Sequence, residues 1–245
     1  MGEIIAVLSG KGGTGKTSVC AGVATALADS GAKVLCIDCD IGLRNLDISL
    51  GISQLGALSF ADVCSGDYSL EQATVHPVYP NLCFLTAPVN CPAREIDQQS
   101  FAQLLRQARD VFQYIFLDAP AGIDEGFRLA ARFADRVLLV TGADPAAVRD
   151  AARAGELLEL MGKTDVRLVV NRVNVKLVSA MAVTVDDVMD TAGLPLMGIV
   201  PEDPKVTLAA AFGVPLLKRS RRGGAGAACR RIARRIQGLS EPVSL

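Results

Sequence analysis

The chain has 245 residues, half of them apolar, with a net charge of −1, seven cysteines and a single histidine. This length and apolar content suffice for one large α/β domain with a sizeable core, and the near-neutral balance speaks against whole-molecule attraction to nucleic acid. Scattered cysteines, odd in number and without a signal peptide, read as reduced cytosolic thiols; one histidine leaves no material for His-based zinc or triad chemistry, and no apolar run reaches transmembrane length.

The apolar run Ile4–Leu8 predicts a buried strand that leads into Gly10-Lys11-Gly12-Gly13-Thr14-Gly15-Lys16-Thr17, and then a helix over Thr17–Asp29. Strand, G-x-x-x-x-G-K-[ST] and helix in that order form the phosphate-binding loop pattern. Its glycines let the backbone wrap closely around a phosphate, with N–H groups inward and the positive end of the helix behind them. Gly10 through Ser18 is therefore the expected nucleotide-binding segment, with Lys16 reaching the β- and γ-phosphates and the Thr17 hydroxyl ligating Mg²⁺. Lys11 is a second lysine that an ordinary loop of this type does not require.

Val34–Ile37 ends in Asp38-Cys39-Asp40. Two carboxylates two apart at a strand end point the same way, which suits them to support a metal and to position an attacking water. Cys36 and Cys39, three apart, face opposite sides, against a shared metal or redox role. Leu82–Leu85 leads, through a loop with Pro88 and Pro92, to a helix over Gln98–Arg109. Tyr114–Leu117 ends in Asp118-Ala119-Pro120, and a carboxylate closing an apolar strand is the Mg²⁺ candidate; a helix cap before Pro120 is the alternative. Val137–Thr141 precedes a helix over Ala146–Met161. Val166–Val170 ends in Asn171, whose amide has the donor and acceptor needed to read a purine edge. Asn171-Arg172-Val173-Asn174 is not the Asn/Thr-Lys-x-Asp guanine motif, which favours adenine. Met197–Val200 ends in Pro201-Glu202.

Short apolar runs alternating with helical patterns predict a doubly wound, mostly parallel sheet with helices on both faces and ligands at the carboxyl ends of the strands. Residues 1–245 read as one such domain, with a basic helix over 225–239 and a short tail over 240–245. Gly223-Gly224-Ala225-Gly226 is the only flexible-looking joint. Lys205, Lys218, Arg219, Arg221, Arg222, Arg230, Arg231, Arg234 and Arg235 follow one another with no acidic residue between Lys205 and Gln237. Cys229, Ile232, Ala233, Ile236 and Leu239 lie at helical spacing. Two expectations follow: a helix packed on the core with solvated arginines, or a basic amphipathic helix that binds anionic lipid weakly, with DNA as the less favoured surface.

Lys11 to Thr17 matches K-G-G-x-G-K-[ST], and with Ile37 to Asp47, Asp118 to Ile123, Phe133-Ala134-Asp135 and Val148-Arg149-Asp150 the chain resembles the MinD/ParA family of deviant Walker A ATPases. The likeness runs from about Met1 to Gly238, and the Gly42–Asp47 stretch sets MinD-type members apart from plasmid-partition ones. The resemblance implies a cytoplasmic ATP hydrolase that uses Mg²⁺, cycles between ADP monomer and ATP homodimer, and acts at the inner face of the cell membrane in septum placement. Activating and inhibitor partners of the division-site system are implied as well. It gives the catalytic candidates as Lys11, Lys16, Asp38 and Asp40: Lys11 reaching the partner's phosphates, Asp40 orienting water, Asp38 supporting the switch and metal. Asp118 would hold Mg²⁺, and Asn171, Arg172, Pro201 and Glu202 would frame the adenine. The alternative within the family is a partition or cargo-positioning ATPase that uses the nucleoid.

Two departures stand out. Asp124 occupies a position where related chains often carry Glu, and family members carry a Lys-, Phe- and Leu-rich insertion tail that would begin about where Leu245 stands. Two rivals are weaker: a metal-cluster ATPase needs paired cysteines, for which Cys91 and the others lack the spacing, and a binding module with a dead site is opposed by Lys16, Thr17, Asp40 and Asp118.

Overall fold

The computed structural model describes residues 1–89, 96–174, 184–220 and 222–243; Cys91, Pro92, Arg221 and the last two residues of the tail lie outside them. The predicted runs form β1 (Glu3–Leu8), β2 (Val34–Asp38), β4 (Leu82–Leu85), β5 (Tyr114–Asp118), β6 (Arg136–Thr141), β7 (Val166–Val173) and β8 (Leu196–Pro201), with a two-residue β3 (Thr74–Val75) that the sequence did not announce. The strand order is β3-β4-β2-β5-β1-β6-β7-β8, parallel throughout except for the β3–β4 pair.

Alternate residues of each strand feed two separate cores, as the period of two requires. Ile4, Ala6 and Leu8 of β1 pack with α4 (Gln98–Val111), α5 (Glu125–Phe133), α6 (Pro145–Leu160) and α7 (Val185–Ala192). Ile5 and Val7 pack on the other face with α1 (Lys16–Asp29) and α10 (Gly224–Ile236). The smaller helices are α2 (Leu46–Leu50), α3 (Phe60–Cys64), α8 (Pro204–Ala211) and α9 (Leu216–Arg219). Cys36 joins one core and Cys39 the other, so the close cysteine pair is divided by the sheet. Among the described residues no cluster of three or more His, Cys, Asp or Glu side chains could hold a metal.

Helix α10 follows the first of its two expectations, a helix packed on the core, and not the amphipathic lipid-binding one. Its stripe of Ala225, Ala228, Cys229, Ile232, Ala233 and Ile236 is buried against α1 and β8. The approach is close enough that a Cβ on Gly22 of α1 would stand 2.6 Å from Cys229 Sγ, and one on Gly198 of β8 2.5 Å from Ile232 Cγ1. No apolar face of this helix is left for a bilayer. The helix stops at Ile236, short of the predicted 239, because Gly238 turns left-handed at φ +80°. Its arginines are also engaged: Arg234 pairs with Glu241 at 2.8 Å, and Arg235 donates to the carbonyls of Met197, Glu241 and Pro242. Among the described residues no helix is long and apolar enough to cross a membrane.

The single histidine, His76, is a buried structural group. Its Nε2–H donates to Leu50 O at 2.9 Å, and Nδ1 accepts from the N–H groups of Val78 at 3.1 Å and Tyr79 at 3.3 Å. These partners fix the neutral Nε2–H tautomer. Burial lowers its pKa below the ordinary 6.5, against the pull of the Leu50 carbonyl. The folded state thus holds fewer protons than the unfolded one below about pH 6.5, so stability is complete above that pH and is lost as pH falls. Thermal melts between pH 5 and 7.5 should show this acid limb. His76→Ala should flatten it while costing about 1–3 kcal/mol at pH 7.5, because Leu50 O and two N–H groups lose their partner.

Candidate functional site

The polar residues that end the parallel strands converge on one edge of the sheet, where the loop between β1 and α1 lies. Gly13 and Gly15 both sit at φ +81°, a left-handed conformation open to glycine at little cost. Gly10 backs onto the carbonyl of Asp150 in α6, where any Cβ would overlap it. Gly15 ends the loop at the start of α1, so the first free N–H groups of that helix point toward the loop.

Lys16 is buried, with Nζ 2.7 Å from Asp118 Oδ1 and 3.2 Å from Thr17 Oγ1. Asp118 is equally buried, and its second oxygen, Oδ2, has no hydrogen-bond partner. Burial raises the Asp118 pKa, and the Lys16 ammonium and Thr17 hydroxyl work against that rise. Asp38 stands opposite Asp118 in the β2–β5 register. Its oxygens accept from the N–H groups of Asp40 at 2.9 Å and Leu46 at 3.2 Å. Its carboxyl is pushed up to about 7 by burial first and then by the charge of Asp118, against those two N–H bonds.

The two acids of the second strand end therefore differ in environment. Asp38 is buried and ties down the backbone of residues 40 and 46, whereas Asp40 is half-buried and its Oδ1 accepts from Leu43 N–H at 3.2 Å. Arg44, at φ +49°, anchors the same loop through Nε and Nη2 to Thr86 Oγ1. Asp118 caps no helix: α5 begins only at Glu125.

Lys11 occupies a different environment from Lys16. Its side chain is 44% exposed, 3.8 Å from Asp144 Oδ1. It edges a recess of about 300 Å³ between Gly12, Gly13 and Thr14 on one side and Gly142, Asp144, Arg172 and Glu202 on the other.

A larger cleft of about 790 Å³ opens beside the start of α1. It brings together Gly15, Ser18, Asn171, Arg172, Pro201 and Glu202 from three strand ends, with Val206, Leu216, Ala225 and Cys229 as an apolar wall. β7 runs three residues further than predicted, with an irregularity between Val170 and Val173 and Arg172 at φ +55°. That irregularity turns Asn171 inward, where its Nδ2 donates to Thr14 O at 2.7 Å. The amide orientation is thereby set, and Oδ1 is the atom left to accept a bond. Arg172 donates to Gly13 O at 3.2 Å. Sequence reasoning missed Asp144 and Asp203. Each precedes a proline and caps a helix, α6 and α8 respectively, a pattern that was there to be read.

A family model described as the CobQ/CobB/MinD/ParA nucleotide binding domain matches residues 5–216. The chain belongs to the MinD/ParA family. Within that family it is 39% identical over 244 residues to the septum site-determining protein MinD of Synechocystis, covering 99% of this chain and 92% of that one. The MinC:MinD cell division protein complex of Aquifex aeolicus superposes with a TM-score of 0.91 at 35% identity, covering 99% of this chain and 98% of that chain. MinD of Pyrococcus horikoshii, solved in complex with Mg-ADP, superposes at 0.84 with 27% identity, covering 96% of each chain. The Synechocystis and Pyrococcus proteins are described as septum site-determining and the Aquifex complex as a cell division one, so the partition-type alternative is the less supported.

Proposed function

We propose that the chain is a MinD-like ATP hydrolase that dimerises around ATP and takes part in placing the division septum. The observation that carries this reading is the separation of the two loop lysines: Lys16 is buried on Asp118, while Lys11 is exposed at the rim. One lysine would serve the chain's own nucleotide and the other a partner's.

The loop's N–H groups and the start of α1 would hold the phosphates, with Lys16 leaving Asp118 to neutralise the transferred group. The residues fit a divalent metal, because Asp118 Oδ2 is buried without a partner and the Thr17 hydroxyl lies close by. Mg²⁺ bound there would neutralise charge that develops on the phosphate oxygens. Asp40, with its half-exposed carboxylate, would orient the attacking water, while Asp38 holds the loop that carries Asp40. Asn171 Oδ1 would accept from the exocyclic amine of adenine, and the same acceptor would meet the carbonyl of guanine unfavourably. Arg172, Pro201 and Glu202 complete the frame.

A cation supplied in trans acts only once the dimer has formed, which couples assembly to turnover. Lys11→Ala should therefore abolish ATP-dependent dimerisation in light scattering and lower phosphate release at least about 100-fold, while ADP binding persists. A variant that dimerises and turns over like the parent sinks the assignment. The Aquifex MinD relative is solved with MinC, which supports an inhibitor partner of the same kind for this chain; an activating partner rests on family resemblance.

Work at the inner face of the cell membrane belongs to the same reading, and surface charge supports it. Lys218, Arg219 and Arg222 are exposed, each adding about 1 kcal/mol near an anionic surface. Sedimentation with anionic vesicles should be weak, stronger with ATP than with ADP, and abolished by high salt. Pelleting that resists salt would mean apolar insertion and would contradict this account.

A further inference from the structure

We propose that Asp203 is a positioning residue that fixes the base-side wall of the nucleotide cleft through the two helices it caps. The proposal rests on the reading above, in which the base occupies the cleft beyond Gly15.

The carboxylate of Asp203 is shared between the N-termini of two helices. Its Oδ1 accepts from Lys205 N–H at 2.9 Å and caps α8. Its Oδ2 accepts from Ala225 N–H at 3.1 Å, in the first turn of α10, and lies 3.1 Å from Ser220 Oγ. Ser220 is fully buried; its Oγ accepts from Gly226 N–H at 3.2 Å and lies 2.7 Å from Gly223 O. One acid and one serine thus satisfy N–H groups that both helices would otherwise leave bare.

The glycines of this stretch follow from the same contacts. A Cβ on Gly224, itself at φ +59°, would overlap Asp203 Oδ2, and one on Gly226 would overlap the Ser220 carbonyl. What reads in the sequence as a flexible joint is a close-packed seat. Both helices then face the cleft: Val206 of α8, and Ala225 and Cys229 of α10, line it together with Asp203 itself. Because both Asp203 oxygens are taken by backbone and serine donors, its effect on a ligand passes through where it holds these walls.

Such a residue should matter for the base and not for the phosphates. The test compares ADP with inorganic pyrophosphate, each titrated calorimetrically with Mg²⁺ into the full chain. The parent protein should bind ADP far more tightly than pyrophosphate. Asp203→Ala should weaken ADP about tenfold, the scale of one lost helix cap, and leave pyrophosphate within about twofold. Asp203→Asn keeps one acceptor and should recover part of the loss. Ser220→Ala should weaken ADP in the same selective way, and it serves if Asp203→Ala fails to fold.

Unchanged ADP binding in the variants overturns the proposal. Equal loss of ADP and pyrophosphate also overturns it, since that is what general destabilisation would give. A parent protein that binds ADP no better than pyrophosphate removes the base from this cleft, and with it both the reading and the proposal.

Discussion

Replacing Lys16 by methionine should abolish ATP hydrolysis and also destabilise the fold, by about 3–5 kcal/mol in chemical denaturation at pH 7.5. The second effect follows from burial. Lys16 and Asp118 are 6% and 1% exposed and 2.7 Å apart, so removing the ammonium leaves a buried carboxylate whose other oxygen already has no partner. Asp38, its neighbour across the β2–β5 register, adds like charge at the same point. The loss of turnover, about 100-fold to 1000-fold, is that expected when a positioned charge is withdrawn from the transferred phosphate. The double variant Lys16→Met/Asp118→Asn separates the two effects. It removes both charges, and should regain most of the stability while remaining inactive. An unmoved denaturation midpoint in Lys16→Met would contradict the buried pair; retained phosphate release would remove Lys16 from the chemistry.

The sheet was legible because its strands are short runs buried on both faces, and a parallel sheet covered by helices demands that composition. Thr74–Val75 was not, since a two-residue edge strand carries no periodicity. The phosphate loop, Lys16, Asp118 and Asn171 could be found because each couples a residue type to a strand end. What sequence could not give was the partner of each group. The apolar stripe of α10 fits a lipid surface and a protein core equally well, and only Gly22 and Gly198, distant in sequence, show that the core takes it. The two acids at positions 38 and 40 look equivalent in a strand of period two, yet one is buried on backbone N–H groups and the other is half-exposed. The glycines at 223–226 suggested freedom because glycine serves both freedom and close approach. Asp203 and Ser220, which decide between these, lie at other points of the chain.

Gly15→Ala should weaken nucleotide binding at least about 100-fold and lower stability by about 2–3 kcal/mol. Two costs combine. At φ +81° an alanine is strained by about 1–2 kcal/mol, and its Cβ would overlap Asn171 Nδ2. Asn171 must then move, which breaks its 2.7 Å bond to Thr14 O and swings Oδ1 away from the base side of the cleft. The loop and the base frame fail together because one amide joins them. Gly31 supplies the control: it has φ +97° but nothing within 4 Å of where a methyl would stand, so Gly31→Ala carries backbone strain alone. It should lower stability by about 1 kcal/mol and leave ADP affinity unchanged. Equal losses of affinity in the two variants would mean that loop strain, and not the Asn171 link, controls binding, and the adenine-reading role of Oδ1 would lose its structural basis.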